Sequence, residues 1–164
     1  MVKAKRSYER KDRLIQEKRH DAYQEQGKWP EPTLCTECGA VFSKGRWTWK
    51  KGAQIAHHTT CPACKRFLQK YPAGTVVIKG VFFEKHRDEI LNLVRNIGDK
   101  EKNQHPMERI LRLLNEKDHT LIETSGIHIA RRIGEALTRS YDGDYSFQYS
   151  DQASNIRVVW DRSA

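Results

Sequence analysis

The sequence predicts an α+β protein in which a short cysteine-bearing segment precedes a small two-layer domain of helices and strands. All four cysteines fall in two C-x-x-C pairs separated by 22 residues, Cys35/Cys38 and Cys61/Cys64. After residue 75, β-branched runs alternate with apolar residues at helical spacing. We therefore expect three parts: a basic arm and linker (1–30), a ribbon (31–74) and an α+β domain (75–164).

The arm is dense in charged side chains of both signs, and residues 1–24 contain neither Pro nor Gly. Oppositely charged residues four apart support a helix over residues 9–19, but the segment has too few apolar side chains to be stable alone. We expect the arm to order only when something docks on it, as either a functional arm or a solubilising tail. The linker that follows contains Pro30 and Pro32, which favour extended backbone.

In the ribbon, residues 40–42 and 46–49 are predicted to pair as a hairpin around a turn at residues 43–45. After the second cysteine pair, residues 65–71 are predicted to form a short helix, which Pro72 and Gly74 end.

The cysteine spacing predicts one structural zinc ion held by Cys35, Cys38, Cys61 and Cys64. Each C-x-x-C turn aims two thiolates at one point, and two turns supply the tetrahedral shell that Zn²⁺ favours, with Zn–S bonds of about 2.3 Å. A catalytic zinc would keep one position open for water, whereas all four are filled here.

Three other interpretations of the cysteine segment stay open. Disulfides need an oxidising compartment, whereas the chain begins MVKAK without an apolar signal segment. A thioredoxin-like redox pair needs a single C-x-x-C on a βαβ unit. His57 or His58, just before Cys61, could replace a cysteine as ligand, or the pair could contact phosphate.

The α+β domain is predicted to follow the order β-α-β-β-α-β-β, with two helices on one face of a mostly antiparallel sheet. Residues 75–80 are a β-branched run that ends in glycine, and residues 82–103 show helical spacing. Residues 108–115 and 120–124 flank the polar turn 116–118, which favours a hairpin.

The second half of this domain has a helix and a final hairpin. Ser125 is expected to cap the helix, whose apolar residues include Ile133 and Leu137. The Asp-Gly-Asp turn at residues 142–144 ends the helix, and the alternating segments 145–149 and 156–160 predict the hairpin.

Positive charge is concentrated in one segment of the chain. Residues 39–75 contain seven Lys or Arg and no acidic residue, whereas residues 76–164 contain fourteen of each sign. A zinc ion with four thiolates carries a charge of about −2, which leaves a surplus of about five positive charges on the segment. A polyanion is the partner that this surplus predicts.

The ribbon also interleaves aromatic and basic side chains, a mixture that suits RNA, where cations pair with phosphates and rings stack on bases. Trp47 and Trp49 could equally pack over the metal site. Arg131–Arg132 with His128, and Arg95 with His86 and Arg87, are either secondary contacts or ordinary helix surface. The predicted RNA contacts are Lys44, Arg46, Trp47, Trp49, Lys50, Lys51, Lys65 and Arg66.

Signatures of catalysis are missing from the sequence, which has no Gly-rich phosphate loop, no G-x-S-x-G, no H-E-x-x-H and no spare cysteine. We therefore expect a protein that is not an enzyme and takes no small-molecule substrate. No run approaches the ~20 apolar residues of a membrane helix, so we expect a cytoplasmic protein without a membrane partner.

Several motifs together resemble a known family. They are the Cys-Gly that ends the first pair, the Cys-Pro-x-Cys of the second, Tyr71–Pro72, Gly80, and the IHIARRI run at 127–133. Over residues 33 to about 150 the chain is similar to the compact bacterial relatives of the large-ribosomal-subunit export adaptor of eukaryotes and archaea. The resemblance implies zinc binding by the four cysteines and association with the large ribosomal subunit, in assembly or in a dormant state.

The sequence thus predicts a zinc-ribbon protein that binds ribosomal RNA through residues 39–75, with the α+β domain as scaffold or second contact. The alternative is a DNA-binding zinc-ribbon transcription regulator. Such a regulator would usually be a dimer with a recognition helix, and the sequence has neither a heptad pattern nor a basic helix with base-reading residues on one face.

Overall fold

The computed structural model describes residues 29–50, 54–150, 152 and 154–164. Residues 1–28, which make up nearly all of the predicted arm, lie outside the described residues, as does Lys51. The described residues form an α+β fold with two sheets and four helices, as the sequence predicts. The elements are β1 (Thr33–Cys35), β2 (Val41–Ser43), β3 (Arg46–Thr48), β4 (His57–Thr59), α1 (Pro62–Gln69), β5 (Gly74–Lys79), α2 (Val81–Lys85), α3 (Arg87–Gln104), β6 (Ile110–Asn115), β7 (His119–Thr124), α4 (Ile127–Tyr141), β8 (Asp144–Tyr149) and β9 (Ile156–Asp161).

The first sheet belongs to the ribbon and has the strand order β3-β2-β1-β4. β2 and β3 pair antiparallel as the predicted hairpin. Lys44 and Gly45 in its turn have φ values of 54° and 78°, as a tight two-residue hairpin turn requires. β4 was not predicted from the sequence; it pairs in parallel with β1, and Thr33 lies opposite His57.

The second sheet has the order β6-β7-β5-β9-β8 and contains the predicted hairpins β6–β7 and β8–β9. β5 lies at its centre, antiparallel to β7 and parallel to β9. The sheet is therefore mostly antiparallel, as the sequence predicts, because β5–β9 is its one parallel pair among the described strands.

The core lies between this sheet and the helices α3 and α4. Alternate residues of the central strands face the helices. Trp160 of β9 and Ile133 of α4 are both completely buried in this core. Gly134 permits close contact between α4 and the sheet, since a Cβ at this position would lie 2.2 Å from Cε2 of Tyr145. The largest fully buried apolar side chains are Trp160, Phe83, Ile78, Ile90, Ile122, Ile129, Ile133 and Leu137.

Two local predictions were wrong. The helix predicted over residues 82–103 is two helices, α2 and α3, divided at His86, whose φ and ψ are −119° and 24°. The imidazole of His86 stacks on Phe82 with ring centroids 4.3 Å apart, which accompanies the change of direction. Ser125 does not cap α4, since its hydroxyl bonds the backbone of Met107 and Arg109 instead.

Candidate metal centre

The four cysteine sulfurs lie within 4.8 Å of one another and form the one group of potential metal ligands among the described residues. The Sγ atoms of Cys35 and Cys64 are 3.9 Å apart, and those of Cys38 and Cys61 are 3.8 Å apart. A tetrahedron with metal–sulfur bonds of about 2.3 Å has sulfur–sulfur edges of about 3.8 Å. The cluster therefore has the dimensions of a four-thiolate metal site.

Two backbone turns position the sulfurs. In the first, the amide of Gly39, with φ of 82°, bonds the carbonyl of Cys35, so Cys35 and Cys38 face the same point. In the second, Cys61 is the N-cap of α1, and its Sγ accepts from the amide of Cys64 at 3.4 Å. Cys35, Cys61 and Cys64 are buried, and Cys38 is half-buried.

The thiols differ in how readily they ionise. A hydrogen bond with Cys64, together with burial, raises the pKa of Cys61 far above its ordinary value. Burial works to raise the pKa of Cys35, but backbone donors at Cys61, Cys38 and Glu37 outweigh it and lower this pKa to about 7. Four adjacent thiolates, three of them buried, repel one another, so their joint ionisation requires a cation.

Arg109 lies against the cluster and comes from the α+β domain. Its Nη1 donates to Sγ of Cys64 at 3.6 Å, and its Nη2 donates to Cys38 and Cys61 at 3.5 and 3.8 Å. The side chain is 8% exposed. Donors of this kind reduce the negative charge of a thiolate cluster and orient its sulfurs.

The guanidinium of Arg109 is held in place from several sides. Its Nε donates to the carbonyl of Pro106 at 2.8 Å, and its backbone amide donates to Ser125 Oγ at 2.9 Å. The indole ring of Trp49 lies on it, with 5.8 Å between the ring centroid and Cζ. Arg109 is therefore a preorganised neighbour of the cysteines.

Two further contacts join the ribbon to the α+β domain. Trp49 Nε1 donates to the carbonyl of Lys102 at 2.6 Å, near the end of α3. Arg112 of β6 donates to the carbonyl of Phe67 at 3.0 Å, and its Cζ lies 5.3 Å from the centroid of the Phe67 ring. Together with Arg109, these contacts attach the metal-site end of the ribbon to the domain.

The predicted RNA contacts are placed in different surroundings. Lys44 and Arg46 of the β2–β3 hairpin and Lys50 after β3 are exposed. Lys65 is half-buried, with Nζ 5.6 Å from the centroid of the Trp29 ring. Lys51 lies outside the described residues.

Arg66, which the sequence predicts as an RNA contact, is buried. Its side chain is 2% exposed, and Nη1 donates to the carbonyl of Tyr71 at 3.1 Å across the end of α1. The structure therefore removes Arg66 from the candidate RNA-binding surface.

Trp47 and Trp49 both pack against the cysteine cluster and are half-buried. Trp47 also contacts the ring of Phe42, with centroids 5.5 Å apart. Each indole thus has a structural role and also retains exposed surface.

The two histidines before Cys61 belong to β4 and are exposed. Neither belongs to the ligand cluster, which consists of the four cysteines.

Arg109 is the main site residue that sequence reasoning missed. It lies 45 residues after Cys64, among the balanced charges of the α+β domain, where no motif distinguishes it. The signal that could have identified it is its position directly before β6, but only the fold brings that position to the cysteines.

Comparisons with protein-family models, with curated proteins and with solved structures gave no match to this chain. Among the described residues, no helix has both the length and the apolar character needed to cross a bilayer.

Proposed function

We propose that this chain is a zinc-ribbon protein that binds ribosomal RNA of the large subunit, as an assembly or dormancy factor, and acts by binding rather than by catalysis. One observation supports RNA binding most directly. Lys44, Arg46 and Lys50 are exposed on a segment, residues 39–75, that contains no acidic residue. One carboxylate from outside the segment reaches the β2–β3 turn, where Glu31 Oε1 accepts from the amide of Gly45 at 2.7 Å. The three cations still outnumber it, and a surface with a net positive charge attracts a polyanion.

Zinc is the metal that best fits the donor set. Four thiolates at tetrahedral distances favour Zn²⁺, and the main competitor for such a site is iron. Metal analysis of the purified chain should find one zinc per molecule. Stoichiometric iron would replace zinc in the proposal, and protein that folds without bound metal would refute a structural metal.

Two arguments support the ribosome as the partner. The sequence resemblance implies the large subunit, and the positive charge of the ribbon suits folded RNA. The same proposal places the protein in the cytoplasm. The α+β domain then serves as the support that holds the ribbon, because Trp49 and Arg112 connect the two parts by direct hydrogen bonds.

The direct test is co-sedimentation with large ribosomal subunits as the salt concentration rises. If Lys44, Arg46, Lys50 and Lys65 each contact one phosphate, a rise from 50 to 200 mM salt should weaken binding about 50-fold for single-stranded RNA and about 150-fold for a duplex. Reversing three of these charges together (K44E, R46E and K50E) should reduce binding at low salt and flatten this dependence.

A matched control carries the same change of charge on the α+β domain. Lys85, Lys100 and Lys117 are exposed there, so K85E, K100E and K117E together alter net charge equally without touching the ribbon. Equal losses in both triple variants would indicate only non-specific attraction and would count against the ribbon as the binding surface. Tighter binding to duplex DNA than to ribosomal RNA fragments would favour the transcription regulator instead.

A further inference from the structure

A groove of about 580 Å³ lies between the ribbon and the end of α3. Arg46, Trp47, Trp49 and Lys50 line it on the ribbon side. Asn103, Gln104, His105 and Met107 line it on the α+β side. Its volume falls within the range of about 300 to 1,000 Å³ that small-molecule and cofactor pockets occupy.

The lining is rich in aromatic and basic groups and has no carboxylate among the described residues. The two cations, Arg46 and Lys50, are exposed and can meet phosphate at the mouth of the groove. The two indoles supply flat apolar surface, on which nucleobases of any sequence can stack.

Trp49 is fixed before any ligand arrives. Its Nε1 is bonded to the carbonyl of Lys102 at 2.6 Å, and Arg109 lies against its ring. A ligand that contacts this indole therefore meets a surface already held in one orientation, which lowers the entropy cost of binding.

Two amide side chains complete the groove. Asn103 and Gln104 are the last two residues of α3, and both are exposed. Neither side chain hydrogen-bonds to another residue in the part of the chain that the structure describes. Side-chain amides can donate and accept at the edge of an unpaired base.

We propose that this groove takes the base of an unpaired RNA nucleotide, with Trp47 and Trp49 as stacking surface and Asn103 and Gln104 as the groups that bond the base edge. This inference rests on the proposed RNA binding and names the part of the RNA that the site between ribbon and domain recognises. Arg46 and Lys50 would hold the adjoining phosphates. The preferred target is thus a single-stranded loop or an extruded base rather than a continuous helix.

The test compares two probes of equal length and charge: an unstructured single-stranded RNA, and the same ribose-phosphate strand without bases. The full-length, metal-loaded protein should bind the RNA about tenfold more tightly than the abasic strand, a difference of ~1.4 kcal/mol. Combining N103A and Q104A should weaken RNA binding about three- to tenfold and leave the affinity for the abasic strand unchanged. Alanine favours helix, so these changes should not disturb α3.

The matched control combines N92A and N96A, which remove two exposed amides of the same helix outside the groove lining. The control should bind both probes as the unmodified protein does. Equal affinity of the unmodified protein for both probes would overturn the groove inference while leaving phosphate binding intact. Failure to bind either probe at low salt would instead overturn the proposed RNA binding, and the groove inference with it.

Discussion

Replacing Arg109 with methionine should weaken metal binding without unfolding the α+β domain. Methionine approximates the length of the arginine stem and keeps apolar contact with Trp49, but it loses the hydrogen bonds to Cys38, Cys61 and Cys64. The positive charge opposite the sulfurs disappears as well. The bond from Nε to the carbonyl of Pro106 is lost too, so the variant removes the charge of the guanidinium together with its hydrogen bonds.

The magnitude follows from two opposing effects. At 3.5 to 3.8 Å, two unit charges attract by roughly 4.5 kcal/mol at an effective dielectric constant of about 20. Burial of the guanidinium, which is 8% exposed, costs several kcal/mol and cancels much of this attraction. Residues that bond metal ligands typically change metal affinity about 10- to 100-fold, and we expect a loss of that size for R109M.

The assay is competition for zinc against a chromophoric chelator, with the dissociation constant as readout. R112M is the matched control, because Arg112 also joins the α+β domain to the ribbon, through Phe67, but contacts no cysteine. R109M should raise the zinc dissociation constant about 10- to 100-fold, whereas R112M should change it less than threefold. If both variants release zinc equally, the effect belongs to ribbon–domain packing and the electrostatic reasoning is wrong.

Three further predictions concern stability. W49F should lose the hydrogen bond to the Lys102 carbonyl, which should lower the free energy of unfolding by about 1 kcal/mol. Denaturant titration should show this as a lower midpoint with an unchanged slope. G134A should cost about 1 to 3 kcal/mol, because its Cβ would meet the ring of Tyr145 at 2.2 Å; wild-type stability would show that α4 can shift. Burial raises the pKa of Glu108, so its folded state holds a proton more tightly and stability falls as pH rises above about 4.5. E108Q should weaken that decline in urea titrations from pH 4 to 7, and an unchanged pH profile would contradict the assignment.

Local patterns were enough to predict most of the elements. The two C-x-x-C pairs, the β-branched run of β5 and the alternation of β8 and β9 each depend on neighbours in sequence, and the structure confirms them. β4 was missed because its three residues pair with β1 from a distance and carry no apolar alternation. The break between α2 and α3 was missed because Phe83 and Ile90 are seven residues apart, a separation that also fits one continuous helix.

The surroundings of the cysteines depended on long-range contacts instead. Ser125 looked like a helix cap, and only the fold shows that its hydroxyl is taken by the backbone of Met107 and Arg109. The same tertiary arrangement brings Arg109 to the sulfurs. A reading of the chain by segments cannot detect a residue whose partners lie 45 to 71 positions away.

The position of Arg109 also changes how the charge of the ribbon should be counted. Counted by segment, the ribbon's own cations would have to offset a four-thiolate metal centre of about −2. In the structure, the cation that contacts the sulfurs is Arg109, which belongs to the otherwise balanced α+β domain. Lys44, Arg46 and Lys50 stay at the surface and are not used to neutralise the cluster. Because the buried arginine lies at the cysteines and the exposed cations lie on the hairpin, these cations remain available for the polyanion that we propose as partner.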